Sequence, residues 1–203
     1  MRLPAEQRRR QLLDVALDIF AERGFHSTSM DEVAMAAGVT KPVLYQHFPS
    51  KRALYVELLE DVGNQLLARL TSATDRASTG RQRVEDGFSA YFRFVDENHS
   101  AFRLLFGASV RNDPEFAVVA DRFIDHATAV VSTLIEIPVP KEHRLMLANA
   151  LVGIAEATSR RSLVGGEGVD AERLAAWIAE FAWFGLRGVR AGDDVATSMP
   201  GPR

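Results

Sequence analysis

Apolar and polar positions alternate along most of this chain with the period of an α-helix. Between Ala5 and Arg23 the apolar side chains fall on one face, and the opposite face is polar or acidic. The apolar face consists of Leu12, Leu13, Ala16, Leu17 and Phe20, and the polar face of Gln11, Asp14, Asp18 and Glu22. Gly24 follows, where a glycine commonly ends a helix. The pattern predicts a first helix from Ala5 to Arg23.

The helical period continues through the rest of the chain, and no stretch shows the sustained alternation of a strand. Further helices are predicted at 31–37, 40–48, 50–71, 81–98, 100–108, 114–137, 140–163 and 170–190. The polar segment 71–80 predicts a linker. Residues 191–203 lack an apolar face and predict a disordered tail. We therefore expect an all-α protein of about nine helices in two parts.

Two of the predicted helices are short and adjacent. The segment from Thr28 to Asp31 resembles a capping box before the first of them, and Gly38 ends that helix. Thr40 is a predicted N-cap for the second, which Pro49 ends. Short helices joined by a glycine turn predict a helix-turn-helix unit, whose second helix lies in the major groove of DNA.

The second short helix carries side chains that suit contact with DNA. Thr40 and Lys41, at its N-terminal end, suit phosphate oxygens. Val43 suits a thymine methyl group, and Gln46 offers the donor and acceptor that adenine requires. Further phosphate contacts are expected from Tyr45, His47 and Lys51. Each residue alone is more typical of a solvated surface, so only the ordered set carries the prediction.

Charge is distributed unevenly along the chain. The formal net charge is −3 at pH 7. Residues 1–52 hold eight Lys and Arg against six Asp and Glu, whereas residues 53–203 hold sixteen against twenty-one. A positive N-terminal segment joined to a negative remainder is typical of a protein that meets a polyanion at one end.

Composition and spacing exclude several chemistries. Cysteine is absent, which removes disulfides, thiolate metal sites and cysteine nucleophiles. We find no metal-ligand spacing, nucleophile motif or phosphate-binding loop, so no catalytic residue, metal or cofactor is expected. No apolar run has the length of a membrane span, and the basic N-terminus leads into an amphipathic helix. These features predict a cytoplasmic protein.

The N-terminal segment resembles the TetR family of transcriptional regulators. The resemblance covers about sixty residues and is carried by ERGFHSTSM, DEVAMAAGVT and KPVLYQHFPSKRALY. It implies DNA contacts from Thr28, Thr40, Lys41, Tyr45, His47 and Lys51. Arg8, Arg9 and Arg10 would reach phosphate or a minor groove, or form a solubilising disordered tail. Pro42 departs from the small residues usual at its position. Beyond this segment the likeness is limited to helical layout and to FRLLFGASVRNDPEF.

Phenylalanine is concentrated in the middle of the chain. Seven of the twelve lie between Phe88 and Phe123. Such a cluster suits either a packed core or a pocket for an apolar or amphipathic ligand. The family resemblance implies the pocket, lined by Phe88, Phe92, Phe102, Phe106 and Phe123, with Arg103, His126 and Asn149 as polar anchors. Each anchor is equally consistent with an exposed or structural residue.

The last predicted helix is apolar on nearly every side. LAAWIAEFAWFGL, residues 174–186, is interrupted only by Glu180, and its own domain covers a single side. Small residues in the segment 144–157 permit close approach of another helix. The family resemblance implies a four-helix homodimer interface that includes Ala150, Gly153, Trp177, Phe181 and Phe184.

These features predict a DNA-binding domain at 1–50, an effector-binding and dimerisation domain at 51–190, and a tail at 191–203. The expected function is a ligand-responsive dimeric transcriptional repressor on palindromic operator DNA. A small apolar or amphipathic effector would tilt the helix at 50–71 and release the DNA. Two alternatives stay open: an effector-independent architectural DNA-binding protein, and an enzyme using the C-terminal cavity.

Overall fold

The computed structural model describes residues 4–165 and 169–190. Ten helices and no strands lie within these ranges, which confirms the all-α prediction. They are α1 (Ala5–Arg23), α2 (Met30–Ala36), α3 (Lys41–His47), α4 (Lys51–Thr74), α5 (Gly80–Glu97), α6 (His99–Phe106), α7 (Ala108–Asn112), α8 (Pro114–Leu134), α9 (Lys141–Gly165) and α10 (Ala171–Gly188). The helix beyond the nine expected is α7, a single five-residue turn between α6 and Pro114.

The connection after α4 is shorter than the sequence suggested. α4 continues to Thr74 and α5 begins at Gly80, so the predicted linker at 71–80 reduces to residues 75–79. The Thr74 side chain is buried and donates from its hydroxyl to the Thr71 carbonyl. Polar composition alone therefore predicted a linker that is longer than the one observed. Most of the predicted break at 165–168 and the tail at 191–203 lie outside the described residues.

Two glycines and two serines set the ends of the N-terminal helices. Gly24 and Gly38 have φ values of 79° and 65°, the region that a side chain disfavours. The capping box before α2 is formed by Ser29 and Glu32, one residue later than predicted. A glutamate is long enough to reach back to the N-cap amide, where the shorter Asp31 is not. The Ser50 hydroxyl accepts from the Ala53 amide and caps α4.

The described chain separates into two compact units. Unit 1 comprises the described residues within Met1–Leu70 and Arg93–Asp125, and unit 2 the described residues within Thr71–Phe92 and His126–Arg203. In unit 1, α1 packs on α2 and α6, and α2 packs on α3. Its core contains side chains that are 2% exposed or less, among them Leu12, Phe20, Leu44, Phe48, Leu54, Tyr55 and Phe116. The predicted boundaries at residues 50 and 190 are functional assignments and stay a prediction.

Unit 2 has a core of its own, built around α9 and α10. Ile135, Ala148 and Leu186 form its centre. Partly buried aliphatic side chains surround them: Val84, Val131, Ile137, Leu147 and Leu151. Alanines at the contact allow the two helices to approach closely. Across the described ranges, no helix is both long and apolar enough to span a membrane.

Candidate nucleic-acid interface and the surfaces of unit 2

The helix α3 presents one polar exposed face and one buried face. Leu44 and Phe48 are 0% and 1% exposed and hold the helix in the core of unit 1. The exposed side chains are Thr40, Lys41, Pro42, Tyr45 and Gln46, with Val43 and His47 partly exposed. Tyr45, at 41% exposure, is a large aromatic side chain turned to solvent. The polar groups predicted from the sequence therefore lie together on one short, firmly packed helix.

Thr40 and Lys41 have exposed side chains that can contact a phosphate. Thr40 occupies the N-cap position, but its hydroxyl makes no capping hydrogen bond. Lys41 pairs with Asp31 at 2.9 Å, and this bond raises the pKa of the lysine above its ordinary value. Both partners are exposed, and an exposed ion pair contributes little stability. The ammonium group can therefore exchange Asp31 for a phosphate at small cost.

Thr28 and Lys51 direct their polar groups towards the protein itself. Thr28 is 2% exposed, and its hydroxyl donates to the Gly24 carbonyl at 2.9 Å. The Lys51 ammonium donates to the carbonyls of Phe25 and Thr28, each at 2.8 Å. It also lies 4.4 Å from the centre of the Phe25 ring. Together these bonds fix the α1–α2 loop to the start of α4.

The three N-terminal arginines belong to α1, so the expectation of a disordered tail is wrong. Arg8 bonds to Gln11 at 2.6 Å, and Arg9 pairs with Glu57 while donating to the His47 carbonyl at 2.8 Å. Arg10 pairs with Asp14 and Asp61, both at 2.7 Å. Arg9 and Arg10 thus join α1 to α4. Carboxylates well beyond the basic segment, at positions 57 and 61, made this arrangement hard to read from the sequence.

The sequence did not predict a second set of contacts, which joins the α1–α2 loop and the start of α4 to residues 109–116. The Phe25 amide donates to the Ser109 hydroxyl at 3.1 Å, and the Phe25 ring meets that of Phe116 with centroids 4.8 Å apart. Arg52 pairs with Asp113 at 2.8 Å and lies 4.8 Å from the Phe116 ring. The sequence feature that could have indicated these contacts is the segment FRLLFGASVRNDPEF, residues 102–116, which resembles the family. It supplies three of these five residues.

Two family models match the chain. "Bacterial regulatory proteins, tetR family" matches residues 12–58, and "Tetracyclin repressor-like, C-terminal domain" matches residues 80–185. The second match alone spans more than half of the chain. This protein is a member of the TetR family. It is accordingly a transcriptional regulator with a DNA-binding helix-turn-helix, formed here by α2 and α3.

Named relatives agree with this membership. The transcriptional activator FasR of Mycolicibacterium smegmatis is 35% identical over 187 residues, which cover 91% of this chain and 85% of FasR. The transcriptional repressor KstR2 of Mycobacterium tuberculosis is 27% identical over 96% of this chain and 87% of its own length. The crystal structure of a TetR-like regulator from Rhodococcus sp. RHA1 is 30% identical, with a TM-score of 0.75 and coverage of 93% and 100%.

The aromatic residues predicted to line a pocket are divided between the two units of this TetR-family protein. In unit 2, Phe88 and Phe92 are buried, with ring centroids 6.2 Å apart. In unit 1, the rings of Phe102 and Phe106 lie 4.8 Å apart. Phe123, also in unit 1, packs against Gly63, where an added Cβ would approach its ring to 2.9 Å. A single pocket formed by all five stays a prediction.

The three predicted polar anchors are exposed. Arg103, His126 and Asn149 all present their side chains to solvent in the single chain. Exposure favours surface positions for these residues over contact with a ligand enclosed by aromatic rings. Their assignment as ligand contacts stays a prediction that the geometry does not favour.

α10 has a buried face of alanines and an exposed face of large aromatic side chains. Trp177, Phe181 and Phe184 are 51%, 66% and 61% exposed. Their spacing of four and three residues puts them on one stripe. A contiguous exposed apolar stripe of this kind is typical of an interaction surface.

α9 exposes a complementary stripe of mostly small residues. Ala150 and Gly153 are exposed, and a Cβ added at Gly153 would meet no heavy atom within 4 Å. Met146, on the same stripe, is 66% exposed. Small side chains allow close approach of a second helix. α9 and α10 pack against each other within unit 2, so both exposed stripes belong to one helix pair.

Proposed function

We propose that this TetR-family regulator is a dimeric, ligand-responsive repressor that binds a palindromic operator. The observation that carries the proposal is the exposed polar face of α3, held in place by the buried Leu44 and Phe48. A recognition helix must keep its register while it contacts base edges. The bonds of Lys51, Arg9 and Arg52 to neighbouring elements provide that rigidity.

The proposed DNA contacts divide by chemistry. Val43 and Gln46 would read base edges through apolar contact and amide hydrogen bonds. Phosphate contacts would come from Thr40, Lys41, Tyr45 and His47. Thr28 and Lys51 would position this surface, because their polar groups already bond to backbone carbonyls.

The exposed stripes of α9 and α10 would form the dimer interface. Members of the TetR family bind DNA and dimerise, and Trp177, Phe181 and Phe184 supply the aromatic anchors that such interfaces favour. An isologous pair of these stripes would bury both copies of each. Dimerisation would set two α3 helices about 34–36 Å apart, one turn of DNA, to match an inverted repeat.

A small apolar or amphipathic ligand would control the affinity for the operator. The ligand would favour a conformation whose recognition-helix spacing no longer fits two half-sites, acting only through its unequal affinity for two states. The buried aromatic residues of α5 in unit 2 support a ligand of this character.

The sign of regulation needs its own test, because FasR is named an activator and KstR2 a repressor. We propose repression, in which the dimer occupies an operator that overlaps a promoter. A reporter driven by such a promoter should become more active when the protein is removed. Reduced activity on removal would overturn the repressor assignment and leave DNA binding intact.

Selection of bound duplexes from random DNA tests the core of the proposal. We expect an inverted repeat, and we expect Gln46→Ala to change the preferred bases. Tyr45→Phe, which removes one phosphate contact, should weaken all sequences alike. Selection of single half-sites, or of no sequence at all, would contradict the proposal. DNA binding that no hydrophobic metabolite alters would instead support an architectural protein.

A further inference from the structure

Three buried hydroxyl oxygens in the described residues lack a hydrogen-bond partner. They are Tyr91 Oη, Thr128 Oγ1 and Ser159 Oγ, and all three belong to unit 2. Tyr91 and Ser159 are 8% and 1% exposed. A buried hydroxyl without a partner is destabilising, and the great majority of such groups in proteins are bonded. Unpaired donors at a shared location therefore point to a group supplied from outside the chain.

Tyr91 and Ser159 lie in one neighbourhood. Burial raises the pKa of Tyr91, and the Ser159 hydroxyl is close enough to oppose that rise, although neither oxygen completes a hydrogen bond. Glu156 and Arg160, which pair with each other on α9, also act on the Tyr91 hydroxyl. A tyrosine is protonated at neutral pH even without this shift, so the Tyr91 hydroxyl is a donor.

An apolar surface adjoins this pair of hydroxyls. The Tyr91 ring packs edge-on against Phe92 with centroids 5.3 Å apart, and Phe92 stacks on Phe88. Residues 88, 91 and 92 share one face of α5, as their spacing of three and four requires. The location therefore combines two hydroxyl donors with aromatic surface, the composition of a site for an amphipathic molecule.

We propose that Tyr91 and Ser159 donate hydrogen bonds to the carbonyl oxygen of an uncharged ester, amide or ketone in an amphipathic effector. The proposal rests on the ligand response proposed above and names the chemistry of its polar contact. The apolar part of the effector packs against Phe88 and Phe92. Tyr91 and Ser159 thus take the role of polar anchor that the sequence analysis gave to Arg103, His126 and Asn149.

The charges nearby favour an uncharged acceptor over a carboxylate. Arg160 pairs with Glu156, so the two charged groups nearest Tyr91 offset each other and leave no net positive charge there. Glu156 would repel a carboxylate brought to Tyr91. A neutral carbonyl accepts from both hydroxyls without disturbing the ion pair, because carbonyl oxygen has two lone pairs.

The test compares three probes of equal chain length: methyl decanoate, decanoate and decane. Binding to the full-length protein is measured by calorimetry, and operator affinity is measured with each probe. The variants are Tyr91→Phe, Ser159→Ala and a matched control, Tyr55→Phe. Tyr55 is 2% exposed and belongs to unit 1, so its substitution shows the effect of removing a buried phenol outside the proposed site.

We expect methyl decanoate to bind more tightly than decanoate. Tyr91→Phe and Ser159→Ala should each weaken the ester about fivefold, the usual effect of losing one neutral hydrogen bond, and leave decane unchanged. Tyr55→Phe should not affect any probe. Without ligand, Tyr91→Phe should keep or raise the melting temperature, because it removes an unpaired hydroxyl.

Other outcomes separate this inference from the proposed function. Equal ester binding by Tyr91→Phe, tighter binding of decanoate, or a lower melting temperature for Tyr91→Phe would each overturn the inference. The ligand response would survive any of these if a probe still lowers operator affinity. Ester binding through Tyr91 that leaves operator affinity unchanged would support the inference and contradict the ligand response. Failure of all three probes to bind would count against both.

Discussion

The polar groups of the two units are satisfied in different ways. Around the helix-turn-helix of unit 1, side chains bond to backbone and to each other, as in the capping box of Ser29 and Glu32. Lys51 holds two carbonyls there, and Arg52 holds Asp113. Among the described residues, the buried hydroxyls without partners all lie in unit 2. Unit 1 is therefore built to keep one geometry, whereas unit 2 retains donors that a ligand can use.

Exposed apolar side chains show the same contrast. The large ones on α10 form a continuous stripe in unit 2, whereas Met35 and Val118 in unit 1 stand on different helices. Isolated exposed apolar residues are ordinary on protein surfaces, but a stripe is not. Assembly and ligand binding are thus expected to depend on unit 2, and the reading of DNA on unit 1.

Disrupting the stripe on α10 should have the largest effect. Phe181→Asp buries a charge in the proposed interface, so we expect a monomer. Operator affinity should fall about a hundredfold or more, because one recognition helix no longer holds its partner at the second half-site. Sedimentation and DNA titration measure the two effects. Met35→Asp changes a side chain in unit 1 that is 77% exposed, against 66% for Phe181, and should leave the dimer intact. A monomer in that variant would remove the contrast between the units.

The two lysines flanking α3 should differ in what they affect. Lys51→Met leaves two backbone carbonyls without their charged donor, so the unfolding free energy should fall by about 2 kcal/mol. The slope of log affinity against log salt should be unchanged. Lys41→Met should reduce that slope by about 0.9, the value for one phosphate contact, with little change in stability. A reduced slope for Lys51→Met would show that Lys51 also meets phosphate.

The turn between α2 and α3 should favour glycine. Gly38 has a φ of 65°, and an added Cβ would meet no heavy atom within 4 Å. Gly38→Ala should therefore lower the unfolding free energy by about 1 kcal/mol through backbone strain alone. Chemical denaturation measures this. Gly188→Ala, also in open space but without a positive φ, is the matched control and should not be destabilising. Equal effects would show that strain at Gly38 is relieved.

The Arg52–Asp113 pair should give the smallest effect, visible only in acid. The hydrogen bond from Arg52 holds the pKa of Asp113 below its ordinary value of 3.8. Because the folded-state pKa is the lower one, this stabilisation is present above about pH 4 and is lost as pH falls through the folded value. Asp113→Asn should remove that part of the acid dependence of unfolding.

A double-mutant cycle supplies the control for this pair. Arg52→Gln should remove most of this acid dependence, and the double variant should add only the smaller part that comes from the Glu115 and Phe116 amides, which also donate to Asp113. Fully additive effects would show that Arg52 is not the main cause of the shift.

The α3 surface was the part of the site that the sequence described best. Its exposed polar residues and its buried Leu44 are separated by helical period alone, a local property. The positions of Thr28 and Lys51 were not predictable in this way. Both residues donate to backbone carbonyls, and those bound by Lys51 are more than twenty residues away in the chain. The pattern of side chains does not indicate which carbonyls are available as acceptors.

The polar anchors of unit 2 show the same limit. Arg103, His126 and Asn149 are the anchors that the sequence analysis predicted, yet all three are exposed. Tyr91 and Ser159 carry no signal in the sequence, since a tyrosine beside phenylalanines and a serine late in a helix are both ordinary. What distinguishes them is that their hydroxyl oxygens are buried without a hydrogen-bond partner. That property depends on how α5 and α9 pack.

The sequence by itself determined the all-α architecture, the helix-turn-helix and the family, because period, capping and glycine turns act over a few residues. It also indicated the aromatic stripe of α10, because this helix has more apolar surface than its own unit can bury. Only the tertiary structure decided which lysine faces solvent, which arginines bind carboxylates, and which hydroxyls are left without partners. Those outcomes depend on groups distant in the chain that packing brings together, and hydrogen bonding is sensitive to distances that local pattern does not encode.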